Sequence, residues 1–338
     1  MGSFSEARGY CLQGISCQRR GDLAGAQAGF AKALEVHSGC LEAWNNHGAV
    51  RHLLGDGAGA LADFTRALEI RPDYAEAYNN RGIVRHALGD LAGALADFDR
   101  ALELLPRYAE ALSSRATTRH ALGDLAGALA DYDQVLAIHP DYAEAYHGRA
   151  AARHALGDLA GALTDYDQVL RLIPRQAAAP VYHLRGGVRI SQRRFREAIA
   201  DYDCALMIDP GLCMVYISRG NARHHLRDLA CGDDYRIAFQ LNSQAAAAEI
   251  IRILSNDLHT DASLVLENCG KHVRMCPEDG IAYGRRGLSL WLLGREAEAM
   301  RDFEQWLQRD PDWEAHLELL LETARQHRAG HRKAPASA

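Results

Sequence analysis

The stretch "HALGDLAGALAD" stands at His86–Asp97 and again, unchanged, at His120–Asp131; a third copy at His154–Asp165 differs only at Thr164. The copies begin 34 residues apart. A catalytic site is needed once per chain, so repetition at a fixed interval speaks for architecture. Two further series keep the interval. Pro72, Pro106, Pro140 and Pro174 fall 34 apart and Pro210, Pro277 and Pro311 continue with small slips, so seven of the nine prolines mark one repeat position. Gly21, Gly55, Gly89, Gly123 and Gly157 form the second series, each followed by Asp. That pair reads as a turn: Gly takes the left-handed position that ends one helix and Asp N-caps the next. The prolines mark the other turn, where a residue without an N–H can open a helix. Each unit is therefore helix, tight turn, helix, turn.

Inside the unit 75–108, Tyr78 and Gly82 lie on the first helix and Ala94, Phe98 and Ala101 on the second. Gly82 and Ala94 let two backbones approach, and Phe98 fills the space beside them. The small and aromatic residues at these offsets, closed by Pro106, resemble the tetratricopeptide repeat. The resemblance covers nearly the whole chain in nine units: 7–40, 41–74, 75–108, 109–142, 143–176, 177–212, 213–245, 246–279 and 280–313. It implies an all-α, right-handed solenoid of stacked antiparallel hairpins. Residues 7–176 are the regular units and 177–313 the divergent ones, the sixth carrying extra residues near "RQAAAP". Residues 1–6 precede the repeats, 314–328 read as the polar-faced helix that caps a solenoid, and 329–338 as a disordered tail.

Composition narrows the function classes. The formal net charge of −6 argues against a general nucleic-acid binder. No apolar run is long enough to span a membrane. The eight cysteines are scattered without a CxxC, which suits a reducing cytoplasm. "GDGAGALA" at 55–62 holds part of a dinucleotide fingerprint, Gly57-x-Gly59-x-x-Ala62, but falls between two helices where that motif requires a strand before it. Cys269, His272 and Cys276 share a helix face and are zinc-ligand types, yet they occupy the places of Phe98, Ala101 and Leu105, so buried core is the expectation. No nucleophile with a base and an orienting group is recognisable, so neither catalysis nor a cofactor is expected.

Charge follows the repeat as well. Arginines stand four apart on the first helices, as in Arg81/Arg85, Arg115/Arg119 and Arg149/Arg153, and "DFD" or "DYD" stands on the second helices, as in Asp97/Asp99 and Asp131/Asp133. In an antiparallel hairpin the aspartates lie level with the first arginine of each pair. The expectation is a structural ladder, since paired carboxylates cancel the field a phosphate needs. Histidine recurs at His52, His86, His120, His154 and His224, near helix C-termini where it complements the macrodipole, as Glu42, Glu76, Glu110 and Glu144 do at the other end.

Stepping back from each histidine along one helix face gives Glu76, Asn79, Ile83 and His86; Glu110, Ser113, Thr117 and His120; and Glu144, His147, Ala151 and His154. In tetratricopeptide proteins this face lines the concave groove that holds partner peptides. Three near-identical units keep their frame and vary at its middle, as a groove with local specificity would. The chaperone-tail carboxylate clamp of that family needs Lys here, and Lys is absent. Asn45/Asn46 and Asn79/Asn80 are similar to an asparagine ladder, which Ser114, Gly148 and Leu184 break. The resemblance implies a non-enzymatic scaffold or adaptor with a protein partner; the alternative is a regulatory subunit whose catalytic part is a separate chain.

Overall fold

The computed structural model describes residues 2–226, 228 and 230–333. Among these residues there are seventeen α-helices, two short 3-10 turns and no strand. The chain divides into two compact units, Met1–Leu172 and Ile173–Ala338.

The first unit is a stack of five hairpins: α1 (Gly2–Arg19) with α2 (Leu23–Val36), α3 (Leu41–Leu53) with α4 (Gly57–Ile70), α5 (Ala75–Ala87) with α6 (Leu91–Leu104), α7 (Ala109–Ala121) with α8 (Leu125–Ile138), and α9 (Ala143–Ala155) with α10 (Leu159–Leu172). The Gly-Asp turns behave as their chemistry demands. Gly21, Gly55, Gly89, Gly123 and Gly157 hold φ between 79° and 85°, a conformation that penalises any Cβ. The following aspartates accept the N–H three residues on, as Asp90 does from Gly93 at 2.9 Å. At the other turn the expectation fails. The second helices end at Ile70, Leu104 and Ile138, and Pro72, Pro106 and Pro140 lie two residues beyond, before helices that open at Ala75, Ala109 and Ala143. The prolines therefore stop the preceding helix rather than start the next. Pro311 alone of the series opens an element, the 3-10 turn Pro311–Trp313.

Each hairpin closes on small residues and one large ring. Ala94, Phe98 and Ala101 are at most 1% exposed, and a Cβ at Gly82 would stand 2.7 Å from the Phe98 ring. The segment expected to precede the repeats is helical from Gly2 and belongs to α1, because no proline and no Gly-Asp turn stands between it and Arg19.

The second unit contains α11 (Ala179–Ser191), α12 (Phe195–Ile208), α13 (Cys213–His225), α14 (Cys231–Met275), α15 (Gly280–Leu292), α16 (Glu296–Arg309) and α17 (Glu314–Lys333). α14 is a 45-residue run interrupted at Asn242 and Asp261, both with φ near −161°. Each is an N-cap: Asn242 Oδ1 accepts the Ala245 N–H and Asp261 Oδ1 the Leu264 N–H, both at 3.0 Å. Three helices thus follow end to end with no Gly-Asp turn between them. α17 packs on α14 and α15, burying Leu320 and Ala324. It runs five residues past the boundary at 328, so 329–333 are helix and not the expected tail, because no proline precedes Pro335 there and Gly330 alone does not end the helix. Residues 334–338 of that tail lie outside the described residues.

Candidate functional site: a repeated helix face and its charged frame

The arginine–aspartate ladder is closer-knit than one pair per hairpin. Asp97 accepts from Nε and Nη2 of Arg81 at 3.0 and 2.7 Å, and from Nη1 of Arg85 at 2.9 Å. Asp131 takes Arg115 and Arg119 in the same way, and Asp165 takes Arg149 and Arg153. These aspartates are at most 3% exposed. The first arginine also reaches back one hairpin: Arg115 Nη1 donates to Asp99 at 2.7 Å and Arg149 Nη1 to Asp133 at 2.6 Å. One guanidinium therefore ties the two helices of its own hairpin together and the hairpin to its predecessor. Its face lies over the aromatic ring three residues earlier, Arg81 on Tyr78 at 5.5 Å and Arg149 on Tyr146 at 5.3 Å. In α3 His47 takes the first arginine's place, its Nδ1 2.8 Å from Asp63. With its donors engaged on carboxylates, the stripe is a frame and not a phosphate track.

This frame fixes the twelve face residues on α5, α7 and α9, which lie side by side. Their fates differ. Glu76, Glu110 and Glu144 are exposed, as are Ile83 and Thr117. Ser113, Ala151, His86, His120, His147 and His154 are half-buried. Asn79 is 4% exposed, so it is a packing residue and not part of the open surface; its neighbour Asn80 instead donates to Asn45 Oδ1 at 3.0 Å, linking α5 to α3. His86 Nδ1 stands 2.9 Å from Thr118 Oγ1 and so joins α5 to α7. His147 lies edge-on to Tyr166 at 6.0 Å, and burial pulls its pKa down against the opposing pull of Glu144. Of the row, His86 thus seams adjacent hairpins, whereas His147 packs within its own.

One contribution escaped the sequence reading. Tyr74, Tyr108 and Tyr142, each two residues after a proline of the ruler, stand among the glutamates. Burial first, then Glu76 and Glu42, push the Tyr74 hydroxyl up to about 12. Burial, then Glu110 and Glu76, do the same at Tyr108. Burial, Glu144 and Glu110 raise Tyr142. The rim thus alternates exposed carboxylates with phenol rings held neutral. Its signal in the sequence was the Pro-x-Tyr spacing, which the search for charged and ligating residues passed over.

In the second unit Cys269 and His272 are buried as expected of core, whereas Cys276 is only half-buried, and His272 stands 3.2 Å from Asp279. Among the described residues no three His, Cys, Asp or Glu side chains are grouped to hold a metal ion, and no helix is long and apolar enough to cross a membrane.

Family patterns described as tetratricopeptide repeats match residues 39–107, 116–157 and 281–312. The chain is a tetratricopeptide-repeat protein. Among solved structures, a tetratricopeptide-repeat protein from Parabacteroides merdae is 20% identical, with 72% of this chain and 94% of that one covered at a TM-score of 0.56. The pilF protein of Pseudomonas aeruginosa is 15% identical, with 67% of this chain and all of that one covered at a TM-score of 0.58. PilW, a type IV pilus biogenesis factor, is 21% identical over 60% of this chain and 94% of its own, with a TM-score of 0.56. At these identities the likeness is one of fold. No curated protein matches the chain in sequence. The tetratricopeptide assignment explains why the frame repeats while the exposed positions drift: the frame stacks, and stacking is indifferent to what faces outward.

Proposed function

We propose that this protein is a non-catalytic scaffold that holds an extended, lysine- or arginine-bearing segment of a partner protein across α5, α7 and α9. The observation that carries the reading is the row of exposed glutamates at Glu76, Glu110 and Glu144, one per hairpin, beside the tyrosine rings. Adjacent helices of a stack lie about 10 Å apart, and an extended chain advances about 3.3 Å per residue, so every third residue of a partner meets a new glutamate. Phenol faces beside carboxylates suit a cation's charge and its alkyl stem. The exposed Ile83, Thr117 and half-buried Ala151 then grade the surface between cations. The eight cysteines are free thiols, which suits a reducing compartment such as the cytoplasm.

The test is fluorescence anisotropy with labelled peptides carrying Lys or Arg at every third position, and with acidic peptides of equal length. Replacing Glu76, Glu110 and Glu144 together by Gln should weaken the basic peptides at least about tenfold, and most at low salt, since exposed pairs are screened. Equal binding by the triple variant would overturn the reading.

A further inference from the structure

The second unit holds a cavity of about 530 Å³ framed by α11, the start of α12, α13, α14 and α15. This is the size of a small-molecule site. One side is apolar, with Ile190, Phe195 and Leu264; the other presents Arg285 and His224. Arg285 is half-buried, its side chain 11% exposed, and its bonds are weak for a charged group. Nη1 donates to Asn221 Oδ1 at 3.1 Å and to the Tyr235 hydroxyl at 3.3 Å, both neutral. The nearest carboxylate, Asp257, stands 3.6 Å from Nη2 and is half-exposed. Nε has no hydrogen-bond partner, and neither does the buried Nδ1 of His224. Buried polar atoms without partners are rare, and a guanidinium N–H can only donate. His272 lies 5.0 Å from His224 ring to ring, with its Nε2 3.2 Å from Asp279 Oδ2 and neither of those two atoms hydrogen-bonded.

We propose that this cavity binds the oxyanion of a small acid, with Arg285 Nε and His224 Nδ1 as donors and the apolar side receiving a compact hydrocarbon body. The site shares no residue with the face of α5, α7 and α9, so the two readings stand or fall separately. The charged and titratable neighbours are Arg193 before α12, His225 on α13, Asp257, Asp261, Cys269 and His272 on α14, and Arg285 on α15. Asp261 is engaged in capping Leu264. Burial and Arg285 hold His224 and His225 neutral, and burial pushes the Asp257 carboxyl up. Between pH 7.5 and 6.0 the two histidines therefore stay neutral, so His224 serves as an N–H donor without charge and Arg285 carries the positive charge of the site.

The experiment is isothermal titration calorimetry of the full chain with benzoate and, separately, with inorganic phosphate, at pH 7.5 and 6.0. Saturable one-to-one binding is expected, with benzoate affinity alike at the two pH values because neither histidine changes charge between them; tighter benzoate identifies an organic acid as the occupant, tighter phosphate a free phosphate. Arg285→Gln should lower affinity at least about tenfold. Should that variant fail to fold, His224→Phe keeps the ring and removes the donor, with the same loss expected. No saturable binding of either probe, or binding untouched in the folded variants, overturns the proposal.

Discussion

At the scale of single residues, the buried aspartates decide stability. Asp131 is 1% exposed and pairs with two guanidinium groups, those of Arg115 and Arg119. Asp131→Asn should cost about 3–5 kcal/mol, because it strands charges that the fold has desolvated. Arg115→Ala should cost less, about 1–3 kcal/mol, since Arg119 still serves the carboxylate. Asp99→Asn, at a carboxylate 53% exposed, should cost below about 1 kcal/mol. Urea denaturation midpoints of the three variants give the order directly; a loss at Asp99 equal to that at Asp131 would contradict it. The charge pattern was legible in the sequence because both partners repeat every 34 residues. The sharing was not, because a sequence shows which residues alternate and not how many donors one carboxylate accepts. The same limit hid the burial of Asn79: the exposed Glu76 and the buried Asn79 share a helix face, and only the neighbouring helix separates them.

At the scale of elements, the turns carry the information. Gly89→Ala forces a Cβ into φ 83° and should cost about 1–2 kcal/mol, and Asp90→Ala should cost about 1 kcal/mol for the lost cap. Where the Gly-Asp signal was present the turns were readable to the residue. Where it was missing, in α14, the caps are Asn242 and Asp261, and both look ordinary in the sequence. Histidines of α13 add a pH dependence to the second unit. Burial holds His224 well below its ordinary 6.5, so the unfolded chain takes up the proton first. Stability from the neutral ring is complete above about pH 6.5 and is lost as pH falls toward the folded-state value. Thermal melts between pH 7.5 and 5 should therefore fall less steeply in His224→Gln than in the parent chain. Parallel slopes would place the protons elsewhere.

At the scale of the whole molecule, repeats that cannot stand alone need closed ends. Trp313 meets Phe239 at 5.2 Å and Trp306 at 5.0 Å, and Arg328 of α17 donates to the Trp291 carbonyl at 3.1 Å. Removing 314–338 should uncover these rings and drive self-association, seen by light scattering; a monomeric truncation with an unchanged melt would contradict the capping role. The fold was readable because stacking demands the same residues in every unit. The proposed partner-binding face was readable only as a position, because nothing in the stacking frame specifies what stands on the exposed side. The net charge of −6 has the sign of the glutamate row on which the proposal of a basic partner rests. The most direct measurement places a photo-crosslinking amino acid at Ile83, at Thr117, and at the exposed Arg100 on the outer helix α6, and maps the products by mass spectrometry from the native host. Crosslinks from Ile83 and Thr117 to nearby positions in one basic segment, with none from Arg100, are expected. Equal labelling from Arg100, or unrelated products from Ile83 and Thr117, would contradict a binding face on α5, α7 and α9.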